Sequence, residues 1–264
     1  MKLVLFSKQD PAGENIANAM IKGRGFREKG AFDGEPVYAQ GDIRVLGVEG
    51  SVLELSDPGK FDEFSPCICV VASRHKSASG IPTLTCHSPG NFSTAEMGGS
   101  DRQLAVNPAL YLRALALSMA ENPPGDYSFT LEVTHHGPTC FGFPVVFAEV
   151  GSNEKHWGDP AACEKAASAI YESLSGEPEE KQVCIGFGGN HYAPKFTGAL
   201  ADFAVGHIMP KYAMDFLSED AVREMAEKTA PKPHLALLDG KGIGKQKKEL
   251  ISILEGAGIG WEKL

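Results

Sequence analysis

Cys67-Ile68-Cys69-Val70-Val71-Ala72 is a run of six residues with no strongly polar member. A strand wetted on one face would alternate, so this run predicts a strand covered on both faces. Working outward, Lys2–Ser7 reads as a first strand. Asp10-Pro11 then supplies an N-cap followed by proline at the first helical position, opening a helix to about Ile21. The same device at Asn107-Pro108 and Asp159-Pro160 opens helices to about Ala120 and about Leu174. Tyr127–Val133, Val145–Val150, Lys181–Phe187 and His234–Leu238 read as further strands, Ser218–Thr229 and Lys245–Glu255 as helices. Such alternation predicts an α/β fold: a mixed, largely parallel sheet with helices on both faces. Between Gly34 and Ser56 the β-prone pieces Val37–Ala39, Ile43–Val48 and Val52–Leu55 predict a meander, a small β lobe around residues 34–56. With neither linker nor repeat, the expectation is one catalytic α/β domain over residues 1–264.

The chain of 264 residues is 42% hydrophobic and 22% charged, which is ordinary for a globular protein. The apolar start, Met1–Phe6, is too short for a signal-peptide core, and no run approaches a membrane span. A cytoplasmic protein is expected. The six cysteines, including Cys67 and Cys69 on one strand face, contain no CxxC pair and read as buried free thiols. A net charge of −9 argues against indiscriminate nucleic-acid binding. Local basic clusters, Lys22 to Lys29 and Lys241 to Lys248, leave a specific RNA contact open.

Glu132-Val133-Thr134-His135-His136-Gly137-Pro138-Thr139 closes the Tyr127 strand, and strand ends are where α/β sheets place ligands. On a regular strand Glu132, Thr134 and His136 share one face and His135 the other, so the two imidazoles would not chelate one ion. Seven of the eight histidines, His75, His87, His135, His136, His156, His191 and His207, fall in or beside turns after predicted strands. With Glu132 or Glu96 they would suit zinc, although no HExxH spacing names the ligands. Gly186-Phe187-Gly188-Gly189-Asn190-His191 places bare backbone beside a histidine, where N–H groups can hold an oxyanion. Asp239-Gly240-Lys241-Gly242-Ile243-Gly244-Lys245 lies between a strand and a helix and suits a phosphate, yet lacks the Walker pattern. Ser73, Ser77 and Ser79 beside His75 are a weaker nucleophile reading, since no GxSxG elbow is present.

Several blocks together carry a resemblance. They are Ser73-Arg74-His75-Lys76-Ser77 with Gly80, Thr134 to Thr139, Glu149-Val150-Gly151-Ser152 through Trp157-Gly158-Asp159, Gly188 to Thr197, and Gly206-His207-Ile208-Met209-Pro210-Lys211-Tyr212. In this order, from about Met1 to the last helix, the chain resembles the archaeal and plant type of D-aminoacyl-tRNA deacylase. The resemblance implies a core like that of peptidyl-tRNA hydrolases, and hydrolysis of the ester joining a D-amino acid to tRNA. It also implies zinc, with two ions per subunit. The histidine blocks then nominate His75, His87, His135, His136, His191 and His207 as metal ligands.

Under that resemblance a zinc-activated water attacks the ester. His136, His191 and Glu132 are the expected catalytic side chains, with Gly188 and Gly189 as oxyanion donors. Arg74, Lys76, Lys195, Lys211, Lys241 and Lys245 are expected on the RNA. No further cofactor, membrane contact or obligate protein partner is implied, and a monomer is expected. The competing readings are a metal-dependent amidase or peptidase and a non-catalytic tRNA- or metal-binding protein.

Overall fold

The strand containing Ile68–Ala72 is central because it is covered on both sides, as its composition requires; Cys67 lies just before it and is exposed, and Cys140 is half-buried, so only four of the six cysteines are the buried thiols expected. In the computed structural model, which describes all 264 residues, the first half of the chain gives β1 (Lys2–Ser7), α1 (Pro11–Gly23), β2 (Arg27–Phe32), β3 (Glu35–Gln40), β4 (Ile43–Val48), β5 (Ile68–Lys76) and β6 (Thr83–His87). There follow β7 (Asn107–Pro108), α2 (Ala109–Ala120), β8 (Ser128–Leu131), β9 (Val145–Ser152), α3 (Glu154–Trp157) and α4 (Pro160–Ser175). The last third holds β10 (Gln182–Phe187), α5 (Pro194–Ala199), β11 (Phe203–Met209), α6 (Glu219–Glu227) and β12 (Thr229–Ala230). It closes with β13 (Leu235–Leu238), α7 (Gly240–Ile243), α8 (Lys247–Gly256) and β14 (Gly260–Lys263). No helix is long and apolar enough to cross a membrane.

The strands form two sheets of four or more strands. An eight-stranded sheet has the order β2-β3-β4-β1-β5-β9-β6-β8, and a four-stranded one the order β11-β10-β13-β14. Joins β4/β1, β1/β5, β5/β9 and β6/β8 are parallel, whereas β2/β3, β3/β4 and β6/β9 are antiparallel. The second sheet is parallel throughout. The fold is therefore mixed α/β with largely parallel pairing. Along β5 the side chains alternate between two cores. Val70 and Ala72 pack with Ile16 of α1 and Ala166 of α4, while Cys69 and Val71 meet Phe61, Phe64 and Phe141.

Three local readings change. No helix contributes to the Cys69–Val71 side of the large sheet, which is covered by the 3-10 turns at Val52–Glu54 and Asp62–Phe64 and by Phe141 and Phe143. Helices flank both faces only of the second sheet, with α6 and α8 on one side and α5 on the other. The 34–56 meander is built into the main sheet rather than forming a lobe, since β4 pairs in parallel with β1 and β2 forms the edge beyond β3, and its last piece, at Val52–Glu54, is a 3-10 turn rather than a strand. Asp10 and Asp159 cap their helices through their carboxylates. Asn107 does not, because its backbone is drawn into the β7–β12 bridge and α2 starts at Ala109.

Candidate functional site

The site grows from the point where β8 ends. Leu131 is its last residue, and the chain beyond is taken up by the second sheet, by the loop after β10 and by β11. Val133 N donates to His191 O at 3.1 Å and Thr134 N to Ile208 O at 3.1 Å. Regular alternation stops there, and His136 adopts a left-handed backbone with φ 46°. His135 and His136 consequently meet, ring centroids 4.4 Å apart, and both face His87 at 4.1 and 4.7 Å. The expectation that they point to opposite faces is thus corrected, for the physical reason that the strand does not continue through them. Gly137 locks the turn: a Cβ there would lie 2.3 Å from Gly99 N and 2.4 Å from Gly98 C, both backbone.

Each of these three rings has its Nδ1 against a backbone carbonyl. His135 donates to Val133 O at 2.8 Å, His136 to Gly137 O at 2.7 Å and His87 to Ser88 O at 3.3 Å. Such bonds fix the tautomer and leave Nε2 as a lone-pair donor, the usual support of a metal-binding imidazole. A second group adjoins the first. Glu132 Oε1 lies 3.1 Å from His75 Nδ1 and 3.0 Å from His191 Nε2. His87 Nε2 reaches towards both carboxylates, 3.9 Å from Glu132 Oε2 and 3.8 Å from Glu149 Oε1. Within each of the sets His87/His135/His136, His75/Glu132/His191 and His87/Glu132/Glu149, donor atoms lie within 4.8 Å of one another. His87 Nε2 and both Glu132 oxygens are buried without a hydrogen-bond partner. The short distances to Glu132 therefore lack the alignment of hydrogen bonds, and alignment decides the strength of such a bond.

Charge in the cluster is divided. Burial opposes charge on His75, yet Glu149 and Glu132 lift it to about 9. His87 is raised too, its burial outweighed by the same two carboxylates. Burial would raise Glu149, but the His75 and His87 rings hold it well below the usual carboxylate range. His135 and His136 go the other way: burial, then the neighbouring imidazoles, push His135 well down and His136 to about 3. Two neutral imidazoles thus sit beside a carboxylate pair that demands positive charge.

Other expected residues fall outside. His207 is fully buried in β11, with Nδ1 at 3.0 Å from Thr134 Oγ1 and Nε2 at 2.9 Å from Ala105 O. Both its nitrogens are spoken for, and it joins no donor group. His156 likewise accepts from Ser152 N through Nδ1. Glu96 and the cysteines enter no donor group, and Ser77 and Ser79 bond each other on an exposed loop. Gly188 cannot serve an oxyanion with its N–H, which donates to Met209 O at 2.8 Å. Gly189 opens onto a separate depression of about 270 Å³ lined also by Lys195, Lys211 and Lys241. There Lys195 is paired with Asp239 at 2.7 Å, whereas Lys245 is exposed outside the depression. Arg74, stacked 5.3 Å over Trp157, and Lys76 line the cleft of about 490 Å³ that opens onto His135, His136, Glu149 and His191. Sequence reasoning passed over Glu149 as a site residue. Its signal was there, a lone acid inside the apolar run Val145–Val150.

These features define a class: a mixed α/β protein with a cluster of imidazole and carboxylate donors at the seam between two sheets. The D-aminoacyl-tRNA deacylase family matches residues 63–262, and the chain belongs to that family. It is 34% identical to the D-aminoacyl-tRNA deacylase of Pyrococcus horikoshii, over 96% of each chain. It is also 34% identical to that of Thermococcus kodakarensis, over 95% of this chain and 94% of the relative, and 33% identical to that of Methanosarcina mazei, over 97% and 90%. The crystal structure of a conserved protein of unknown function superposes with a TM-score of 0.88 at 29% identity, covering 100% of this chain and 95% of the other.

Proposed function

We propose that the protein hydrolyses the ester joining a D-amino acid to the terminal adenosine of tRNA, releasing the free D-amino acid and tRNA, at the histidine–carboxylate cluster. The observation that carries this reading is the set of partnerless buried atoms, His87 Nε2 and the two Glu132 oxygens, amid converging imidazoles. Buried polar atoms are ordinarily paired, and divalent cations would pair all three. The two ions implied by the family resemblance fit adjoining donors: His87, His135 and His136 for one, and His75, Glu132 and Glu149 for the other, which leaves His191 at their edge. Nitrogen and carboxylate donors suit zinc. When bound, zinc supplies Lewis acidity, which lowers the pKa of water towards about 7 and polarises a carbonyl.

The chain's own groups supply the rest. His136 is enclosed and held by Gly137, which suits a ligand rather than a proton carrier. The His191 side chain is 47% exposed at the cleft, so it is the ring placed to pass a proton to the departing ribose oxygen. Arg74 and Lys76 at the cleft, with Lys211 and Lys241 in the neighbouring depression, are placed to hold tRNA phosphates.

The test combines metal analysis with hydrolysis of D- and L-tyrosyl-tRNA by wild type and His136→Ala. Bound zinc, D-selective hydrolysis and loss of both in the variant are expected. Full activity after exhaustive chelation would overturn the metal reading, and equal hydrolysis of the L-ester the chiral one.

A further inference from the structure

The cleft at the histidines has an apolar part among its mostly polar lining, and nothing in the hydrolytic chemistry requires it. Val52, Leu53, Met97 and Phe147 line the same cavity of about 490 Å³ as His135, His136, Glu149 and His191. Val52 and Phe147 are buried and form its floor, with the His136 ring 4.8 Å from that of Phe147. Met97 is different, for its residue is 58% exposed on a backbone tied at two successive carbonyls. Its carbonyl accepts from Gly137 N at 3.0 Å, and the next carbonyl, Gly98 O, accepts from Asn91 Nδ2 at 3.0 Å. Gly98 has φ +75°, and a Cβ there would lie 1.9 Å from Leu53 O. A long apolar side chain is thus held in water, on a pinned loop tied to the turn that carries His136.

We propose that Met97 and Leu53, over the Val52–Phe147 floor, form the subsite for the amino-acid side chain of the substrate, and that it favours long apolar or aromatic side chains over small ones. The inference rests on the ester-hydrolase reading above. An ester carbonyl placed at the histidines puts the substituent of its α-carbon within the same cavity, and this wall is the part of the lining able to gain from burying it. Contacts of this kind discriminate weakly but measurably, about 10–200-fold for a single methylene in a closed pocket. A half-open wall belongs at the lower end of that range.

The experiment compares kcat/KM for D-phenylalanyl-tRNA and D-alanyl-tRNA in wild type, Met97→Ala and Met97→Leu. Wild type is expected to prefer the phenylalanyl ester. Met97→Ala should lower kcat/KM for that ester about tenfold while leaving D-alanyl-tRNA within about twofold, and Met97→Leu should restore most of the difference. Equal losses on both esters, or no change on either, would overturn the subsite. Wild-type protein that hydrolyses neither ester would instead remove the ester-hydrolase reading, and the subsite with it.

Discussion

Glu132→Gln keeps the shape of the side chain and removes the carboxylate shared by the cluster's imidazoles. Glu132 is 2% exposed, with Oε1 3.1 Å from His75 Nδ1 and 3.0 Å from His191 Nε2, and Oε2 3.9 Å from His87 Nε2. A ligand that binds only the folded chain stabilises it by RT ln(1 + [L]/Kd), about 2.7 kcal/mol at a hundredfold excess over Kd. In a chain of 264 residues each kcal/mol moves Tm by about 2–4 °C. Each zinc ion bound at that excess should therefore raise the wild-type midpoint by about 5–11 °C. Removing a partner that merely supports a ligand weakens affinity about 10–100-fold, and losing a shared donor costs at least as much. At the same zinc concentration the site that holds Glu132 then contributes only about 0.4–1.4 kcal/mol in the variant, while the His87–His135–His136 site keeps its share. The assay is thermal unfolding of chelator-treated protein with and without zinc, beside equilibrium dialysis for stoichiometry. A variant that keeps the wild-type shift and the wild-type number of ions would refute the reasoning, because the Glu132 carboxylate would then not touch metal.

Burial holds His207 at about 4 against an ordinary value of 6.5. The unfolded chain therefore takes up a proton in that interval which the folded chain refuses, and stability is lost as pH falls from 6.5 to 4. Urea unfolding of His207→Gln should show a shallower decline over this range than wild type; parallel curves would contradict the assignment. Gly137→Ala places a methyl 2.3 Å from the Gly99 backbone nitrogen, so it should destabilise by about 3 kcal/mol and displace His136; chemical denaturation and zinc binding measure the two effects. For Lys211→Ala and Lys241→Ala, the dependence of log affinity for tRNA on log salt should flatten by about one per lysine that contacts phosphate. Hydrolysis of a D-aminoacyl-adenosine lacking phosphates should stay unchanged, and a loss on both substrates would place these lysines elsewhere.

Where a residue's local company determined its fate, the sequence sufficed. Ile68–Ala72 had to be central, and it lies between β1 and β9. Asp10 and Asp159 announced their helices because the cap is made with amides two and three residues on. What could not be read was settled by distant contacts. The strand at Phe203–Met209 is interrupted in pattern by Gly206, which is there because a Cβ would lie 2.4 Å from Thr229 Cγ2. The division into two sheets leaves no mark in an alternation of strands and helices. At the site, strand-end position picked out His75, His87, His135, His136 and His191, which the fold brings together. The same criterion picked out His207 because nothing nearby in sequence reveals that its ring is satisfied by Ala105, 102 residues away. Alternation misplaced His135 because it presumes a strand, and the strand had already given way to the left-handed turn at His136.

The seam between the sheets has a consequence for the order in which the protein comes into being. Glu132 bridges to Tyr192, and Val133 to His191, so the cluster straddles parts of the chain made at different times. His75, His87, Glu132, His135, His136 and Glu149 all precede the second sheet, whose strands begin at Gln182, and His191 alone comes from it. During synthesis the nearly complete donor set therefore emerges before the loop that presents His191 to the cleft. A chain stalled or truncated before that loop carries most of the donors but lacks the bonds from His191 and Ile208 that fix Val133 and Thr134, so the turn bearing His135 and His136 is set only when the final third has docked.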